Sequence, residues 1–153
     1  YIGGIMKEHR HLGVYGLVIK DNKVLLIKKV SGPYDGLLDL PGGSLEFGER
    51  PIETLKRELE EETGIIVKKC ELFDADSVVT SWLREDGIYK GHHVGIFYKI
   101  NSYSNEIKKN ISIDEVNDDS LGADFYEIDK LTANDLSLIA LLELEKLGYN
   151  IKE

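Results

Sequence analysis

Apolar and polar positions alternate from His11 to Ile19, a run that carries Val14, Leu17, Val18 and Ile19. Alternation of period two predicts a strand. Asp21-Asn22 predicts a turn and Lys23 to Lys29 a second, returning strand. Ser31-Gly32-Pro33 interrupts it. Leu37 to Leu40 predicts a short strand leading into Pro41-Gly42-Gly43, read as a turn. From Pro51 the period changes: Ile52, Leu55 and Leu59 recur at helical spacing. Pro51 suits a first helical turn, where its missing N–H is harmless. The helix is predicted to run to Thr63, with Gly64 as the left-handed residue that ends it. Ile65 to Phe73 and Ser77 to Leu83 predict strands, Glu85-Asp86-Gly87 a hairpin turn, and His92 to Ile100 the return. Asn101 to Asp119 is polar and predicts a loop, and Ala123 to Ile128 a short strand. Thr132 is predicted to cap a last helix, Ala133 to Lys146, with Asp135 in its first turn and Gly148 at its end. Leu136, Ile139, Ala140, Leu142 and Leu147 would form its buried face. Strands around a central helix, with a second helix at the end, predict an α/β fold: a mixed sheet with helices on both faces.

The central helix carries an unusual cluster. Glu58, Glu61 and Glu62 stand at i, i+3 and i+4, so their side chains share one face. Like charges at that spacing repel, which favours a cation on top of them. Grouped carboxylate oxygens suit a hard divalent ion such as Mg²⁺, which also keeps waters and phosphate oxygens. A solvated helix face is the commoner reason for such a run. Here, however, the acidic face borders the apolar stripe. At about 100° per residue, Glu58 and Glu62 fall beside Leu55, at the edge of the buried side. That is the rim of a cleft. The Gly42-Gly43 pair just upstream supplies backbone that a ligand can approach closely.

The segment from Gly43 to Ile65 resembles the Nudix box. The glycine, the isolated glutamate, the Arg-Glu-aliphatic run, the Glu-Glu pair and the closing Gly-aliphatic fall on Gly43, Glu49, Arg57-Glu58-Leu59, Glu61-Glu62 and Gly64-Ile65. Every specified position matches, at fixed gaps. The resemblance implies an α/β/α sandwich with a mixed β-sheet between helices, in one domain spanning residues 1–153. It implies a hydrolase that cleaves a nucleoside diphosphate linked to another moiety, with Mg²⁺ as cofactor and Mn²⁺ as a possible substitute. It implies a metal site of Glu58, Glu61, Glu62 and the Gly43 carbonyl, and catalytic roles for Glu58, Glu61, Arg57 and Glu49. Arg57 would orient Glu49 or a neighbouring glutamate, since a guanidinium fork holds a carboxylate rigidly; an i,i+4 pair with Glu53 or Glu61 is the plainer alternative. Glu46 could reach metal through water or be merely exposed. The general base is left open between a box glutamate and Glu85, Asp86, Glu115, Asp118 or Asp119.

Substrate recognition is less legible. A nucleobase needs an aromatic or apolar platform, and Tyr34, Trp82, Tyr89, Phe97 and Tyr98 are available, with Trp82 and Tyr34 preferred. Arg84 or Arg10 could hold phosphate. His92 and His93 are adjacent, so a strand would point them to opposite faces, and one could reach the site; His9 and His11 are weaker candidates. The ADP-ribose hydrolases of the family carry a proline beyond the box, where Val79-Thr80-Ser81-Trp82 has none. The tyrosine typical of diadenosine-polyphosphate hydrolases is also missing. The resemblance therefore narrows to the MutT-like group, acting on (deoxy)nucleoside triphosphates or oxidised nucleotides. A nucleotide-sugar or dinucleotide hydrolase and a non-catalytic nucleotide sensor are the alternatives.

Composition adds limits. The 153 residues carry a net charge of −9, which argues against a nucleic-acid polymer as partner. An anionic nucleotide would need metal and local Lys or Arg to approach. Cys70 is the single cysteine, so no internal disulfide forms, and a cytoplasmic location fits. No apolar run approaches the about 18 residues of a membrane span, and no membrane partner is expected. Met6 reads as the natural start, with residues 1–5 as an extension. An exposed strand edge near Gly91 to Ile100 could pair two chains into a homodimer.

Overall fold

The computed structural model describes residues 5–107 and 120–153. The strands are β1 (Ile5–Leu17), β2 (Ile19–Lys20), β3 (Lys23–Lys29), β4 (Leu38–Asp39), β5 (Gly42–Ser44), β6 (Ile66–Arg84), β7 (Gly87–Ser104) and β8 (Ser120–Glu127). The helices are α1 (Pro51–Thr63) and α2 (Leu138–Lys146). One sheet has the order β5-β1-β7-β6. Its β1 and β7 run parallel, while β1/β5 and β6/β7 are antiparallel, so the sheet is mixed. In a second sheet β3 pairs antiparallel with β2, β4 and β8.

The packing explains why β3 is apolar without alternation. Val24 and Leu26 join one core with Tyr15, Phe97 and the α2 residues Ile139, Ala140 and Leu144. Leu25 and Ile27 join another with Val14, Ile100 and the α1 residues Leu55 and Leu59. Both faces of the strand are covered, which is the condition for a continuous hydrophobic run. Helices on the two sides of the sheets give the α/β/α sandwich.

α1 occupies its expected span. Pro51 takes the first turn, and the Glu53 carboxylate accepts from the Arg50 N–H at 2.8 Å. Gly64 adopts φ 83°, and its N–H donates to the Glu60 carbonyl at 2.9 Å. The left-handed conformation is where glycine has no Cβ penalty.

Several expected boundaries move. β1 starts earlier, at Ile5, because β7 pairs with it residue by residue from Gly87 to Lys99. Pro41-Gly42-Gly43 is not a simple turn: Gly42–Ser44 pairs with Gly13–Tyr15 of β1. β6 runs unbroken through Asp74-Ala75-Asp76, with register shifts that include one between Leu72 and Asp74. Asn101 to Ser104 belong to β7, and residues 108–119 of the expected loop lie outside the described residues, as do the base candidates Glu115, Asp118 and Asp119. Thr132 does close a capping box with Asp135, but the box starts a single 3-10 turn, Ala133–Asp135. α2 begins only after Ser137, whose Oγ accepts from the Ala140 N–H at 3.2 Å. On α2, Leu142 is only half-buried, whereas Glu143 is fully buried. The segment from Gly91 to Ile100 is no edge, since β7 is flanked by β1 and β6. Among the described residues no helix is long and apolar enough to cross a membrane.

Candidate active site

α1 sets the site by turning two glutamates inward. Thr54, Leu55, Glu58, Leu59, Glu62 and Thr63 form its buried side. Glu58 and Glu62 retain only 8 % exposure each, far less than a solvated acidic face would show. They meet β5 at the foot of a cleft of about 450 Å³, within the usual range for ligand pockets. The Gly42 N–H donates to Glu62 Oε1 at 2.8 Å. The Glu58 carboxylate lies directly over Gly43, where a Cβ would come within 2.5 Å of its carboxyl carbon. Burial pushes the Glu62 carboxyl well above its ordinary range; the Gly42 N–H and Lys29 work against this, while Glu58 and Asp39 add to it. A buried carboxyl in that state favours a proton or a nearby cation.

Arg57 ties the other box residues together. Its Nε and Nη2 each stand 2.9 Å from one Glu49 oxygen, a two-pronged pair. Nη1 donates to Glu58 Oε1 at 2.9 Å and to Glu61 Oε2 at 3.4 Å. Nη2 also donates to the Ser44 carbonyl at 3.3 Å, joining α1 to β5. Thr54 Oγ1 donates to Glu49 at 2.9 Å, and so does the Glu46 N–H at 3.0 Å. The Arg57 bonds first, then those of Glu46 and Thr54, hold the Glu49 carboxyl down at about 2. Both the fork on Glu49 and the i,i+4 contact with Glu61 are present.

The other candidates separate. Glu46, Tyr34 and Trp82 line the cleft. Glu61 does not line it, and its side chain is half-exposed beside Arg57. The Arg84 guanidinium lies 5.0 Å over the Tyr89 ring, away from the cleft lining. Arg10 donates to His92 Nδ1 at 3.5 Å and is likewise not part of the lining. Asp86 accepts from the Tyr89 hydroxyl at 2.7 Å, and neither it nor Glu85 lines the cleft. Phe97 is fully buried in the core beside α2, and Tyr98 packs on the core beside α1, so neither serves as a platform.

All four histidines of the chain line the cleft. His93 is buried between Tyr15 and Tyr34, whose hydroxyls hydrogen-bond its Nε2 and Nδ1. Burial, then the nearby His11 and Lys29, lowers its imidazole to about 4, so it is neutral at pH 7. His11 hydrogen-bonds Ser44 Oγ at 2.7 Å. Tyr15, Lys29, Asp39, Ser44 and Thr80 also line the cleft and were not singled out in the sequence. The histidines are candidates in the sequence; the parallel pairing of β1 with β7, which sets His11 opposite His93, is what brings them together.

A NUDIX domain profile matches residues 9–142. The chain belongs to the Nudix family. A Methanocaldococcus jannaschii relative named ADP-ribose pyrophosphatase is 33 % identical over 123 residues, covering 80 % of this chain and 65 % of the relative. A Proteus vulgaris relative named 8-oxo-dGTP diphosphatase is 36 % identical over 69 residues, covering 44 % of this chain and 62 % of the relative. The chain thus spans less than two thirds of either relative. The crystal structure of a MutT NUDIX hydrolase from Burkholderia pseudomallei superposes with a TM-score of 0.73 at 24 % identity, covering 92 % of this chain and 99 % of that one. The likeness shows the Nudix fold.

Nudix hydrolases use divalent metal ions. Among the described residues, no three His, Cys, Asp or Glu side chains already stand together as a ligand set. Mg²⁺ does not need one, because it binds through one or two carboxylates plus waters and substrate phosphates. Glu58 and Glu62 would offer such hard oxygens, and the burial that raises Glu62 would give a cation something to relieve. The residues fit the ion.

Proposed function

We propose that this Nudix protein is a Mg²⁺-dependent pyrophosphohydrolase that cleaves a nucleoside diphosphate linked to another moiety, with Mn²⁺ able to replace Mg²⁺. The observation that carries the reading is the convergence of the buried Glu58 and Glu62 carboxylates on Gly43 at the foot of the cleft. A bound divalent ion would offset phosphate charge and lower the pKa of an attacking water. Glu58 and Glu62 would hold it, with the Gly43 carbonyl beside them. Arg57 fixes Glu58 from one side and, through its fork, keeps Glu49 ionised and in place. Glu61 would join the metal or accept a proton after turning from Arg57. Lys29 is the only lysine or arginine among the described cleft-lining residues and would meet the phosphates.

The favoured substrate is a (deoxy)nucleoside triphosphate or an oxidised nucleotide, cleaved with water to the monophosphate and pyrophosphate. A second reading is ADP-ribose, cleaved to AMP and ribose 5-phosphate; the Methanocaldococcus jannaschii relative of that name supports it. Product release should be measured over nucleoside triphosphates, oxidised guanine nucleotides, nucleotide sugars, ADP-ribose and dinucleoside polyphosphates, each with Mg²⁺, Mn²⁺ or chelator. Metal-dependent turnover of one class, largely lost in Glu62→Gln, is expected. Metal-dependent binding with no turnover of any substrate would replace the enzyme reading with that of a sensor.

A further inference from the structure

One wall of the cleft is built from stacked rings. Tyr89 is buried, with His9 stacked at 6.0 Å and 6° and Trp82 at 5.7 Å and 28°. The strand register puts His9, Gly91 and Thr80 in one row across β1, β7 and β6, and Tyr89 and Trp82 in the next. On a pleated sheet these positions share a face. Gly91 leaves that face without a side chain, and the indole lies across the gap. A Cβ at Gly91 would come within 3.2 Å of Trp82 Cζ3 and 3.0 Å of Thr80 Oγ1. Tyr89 backs the indole, and Trp82 still lines the cleft, so its remaining ring surface faces the ligand space.

We propose that the Trp82 indole, laid flat by the missing side chain at Gly91, is the platform on which the substrate's base stacks. The proposal rests on the nucleotide reading above and assigns its base end: Trp82 contacts the ring, and Gly91 is the positioning residue. Stacking tolerates any planar heteroaromatic ring and contributes about 5- to 150-fold to affinity. Selectivity among bases then falls to the polar edges on the same face, His9 and Thr80.

Trp82 is the only tryptophan, so its emission reports this wall alone. The probes are AMP, GMP and the base-free ribose 5-phosphate, each with Mg²⁺. Because binding of these monophosphates is read without turnover, failure of the hydrolase reading is separable from failure of the platform. AMP or GMP should change the emission saturably, and ribose 5-phosphate should not. By calorimetry, Trp82→Leu should weaken AMP or GMP binding about 5- to 150-fold, with Trp82→Phe restoring most of it. Gly91→Val should weaken binding too, and for a cleaved nucleotide the loss should fall on KM more than kcat. Circular dichroism checks that each variant folds. The platform is overturned if the three probes act alike on the emission, or if folded Trp82→Leu binds AMP and GMP as the parent does.

Discussion

The Glu58 carboxylate rests on Gly43, with room for nothing between them: a Cβ at Gly43 would stand 2.5 Å from its carboxyl carbon and 2.6 Å from Oε2. The obstructing atoms are the far end of a flexible side chain, so Gly43→Ala can be absorbed by swinging Glu58 aside. The fold should tolerate this and the site should not. The expected result is an almost unchanged Tm with kcat/KM down about 100-fold, the scale of a 1 Å misplacement. Equal losses in stability and activity would mean that β5, and not Glu58, had moved.

Arg57→Gln removes the fork on Glu49 and the bond to Glu58 together. Arg57 holds the Glu49 carboxyl at about 2 in the folded chain, below its ordinary 4.5. A lowered carboxyl contributes stability that is present above about 4.5 and lost as pH falls toward 2. The parent should therefore exceed the variant most at neutral pH, with the gap in Tm closing below pH 4.5. Thermal melts from pH 7 to pH 2.5 measure it, and a constant gap would place the effect elsewhere.

These two sites differ in how far the sequence discloses them. The span of α1, its ends and the inward turn of Glu58 and Glu62 follow from local spacing, because a helix fixes neighbours at i+3 and i+4. The wall opposite follows from the pairing of β1 with β7, and from the Gly32–Tyr34 turn that brings Tyr34 to His93, residues far apart in the chain, so no local pattern assembled His11, His93, Tyr15 and Tyr34. Asp74 and Asp76 look like a break between strands, yet both accept from Lys146 of α2, which lets β6 continue. The capping box at Thr132 is real but cannot tell one 3-10 turn from the start of a helix.

Lys29 brings the only described Lys or Arg side chain to the cleft of a chain with net charge −9. Hydrogen bonds from charged donors contribute more than neutral ones, on the order of 1.5–3 kcal/mol. Lys29→Met should raise KM for the cleaved nucleotide about tenfold or more and weaken its dependence on salt. Steady-state kinetics at two ionic strengths test this; an unchanged KM would remove Lys29 from phosphate binding.

Glu143 breaks the polarity rule on α2, and helical phase explains it: it follows Ile139 and Ala140 by four and three positions on the inner face. Its side chain is fully buried and neither oxygen accepts a hydrogen bond, but in the protonated form its O–H faces the Asp74 carboxylate. Lys146 Nζ stands 3.9 Å from Oε2 but is closer to Asp74, at 2.7 Å. Burial first, and the neighbouring Asp74 next, push the Glu143 carboxyl up to about 8. Between about 4.5 and 8 the folded chain keeps a proton that the unfolded chain has released. Stability must therefore fall as pH rises through that window and level off above it. Glu143→Gln keeps the shape of the protonated acid and should remove this slope. Glu143→Leu also removes the unsatisfied oxygens, whose burial costs about 1–3 kcal/mol, and should melt above the parent, most clearly at pH 8. Melting curves of the three proteins from pH 5 to pH 9 decide it. A parent curve that rises toward pH 8 would show that Glu143 is ionised in the folded chain, with Lys146 as its partner in place of Asp74.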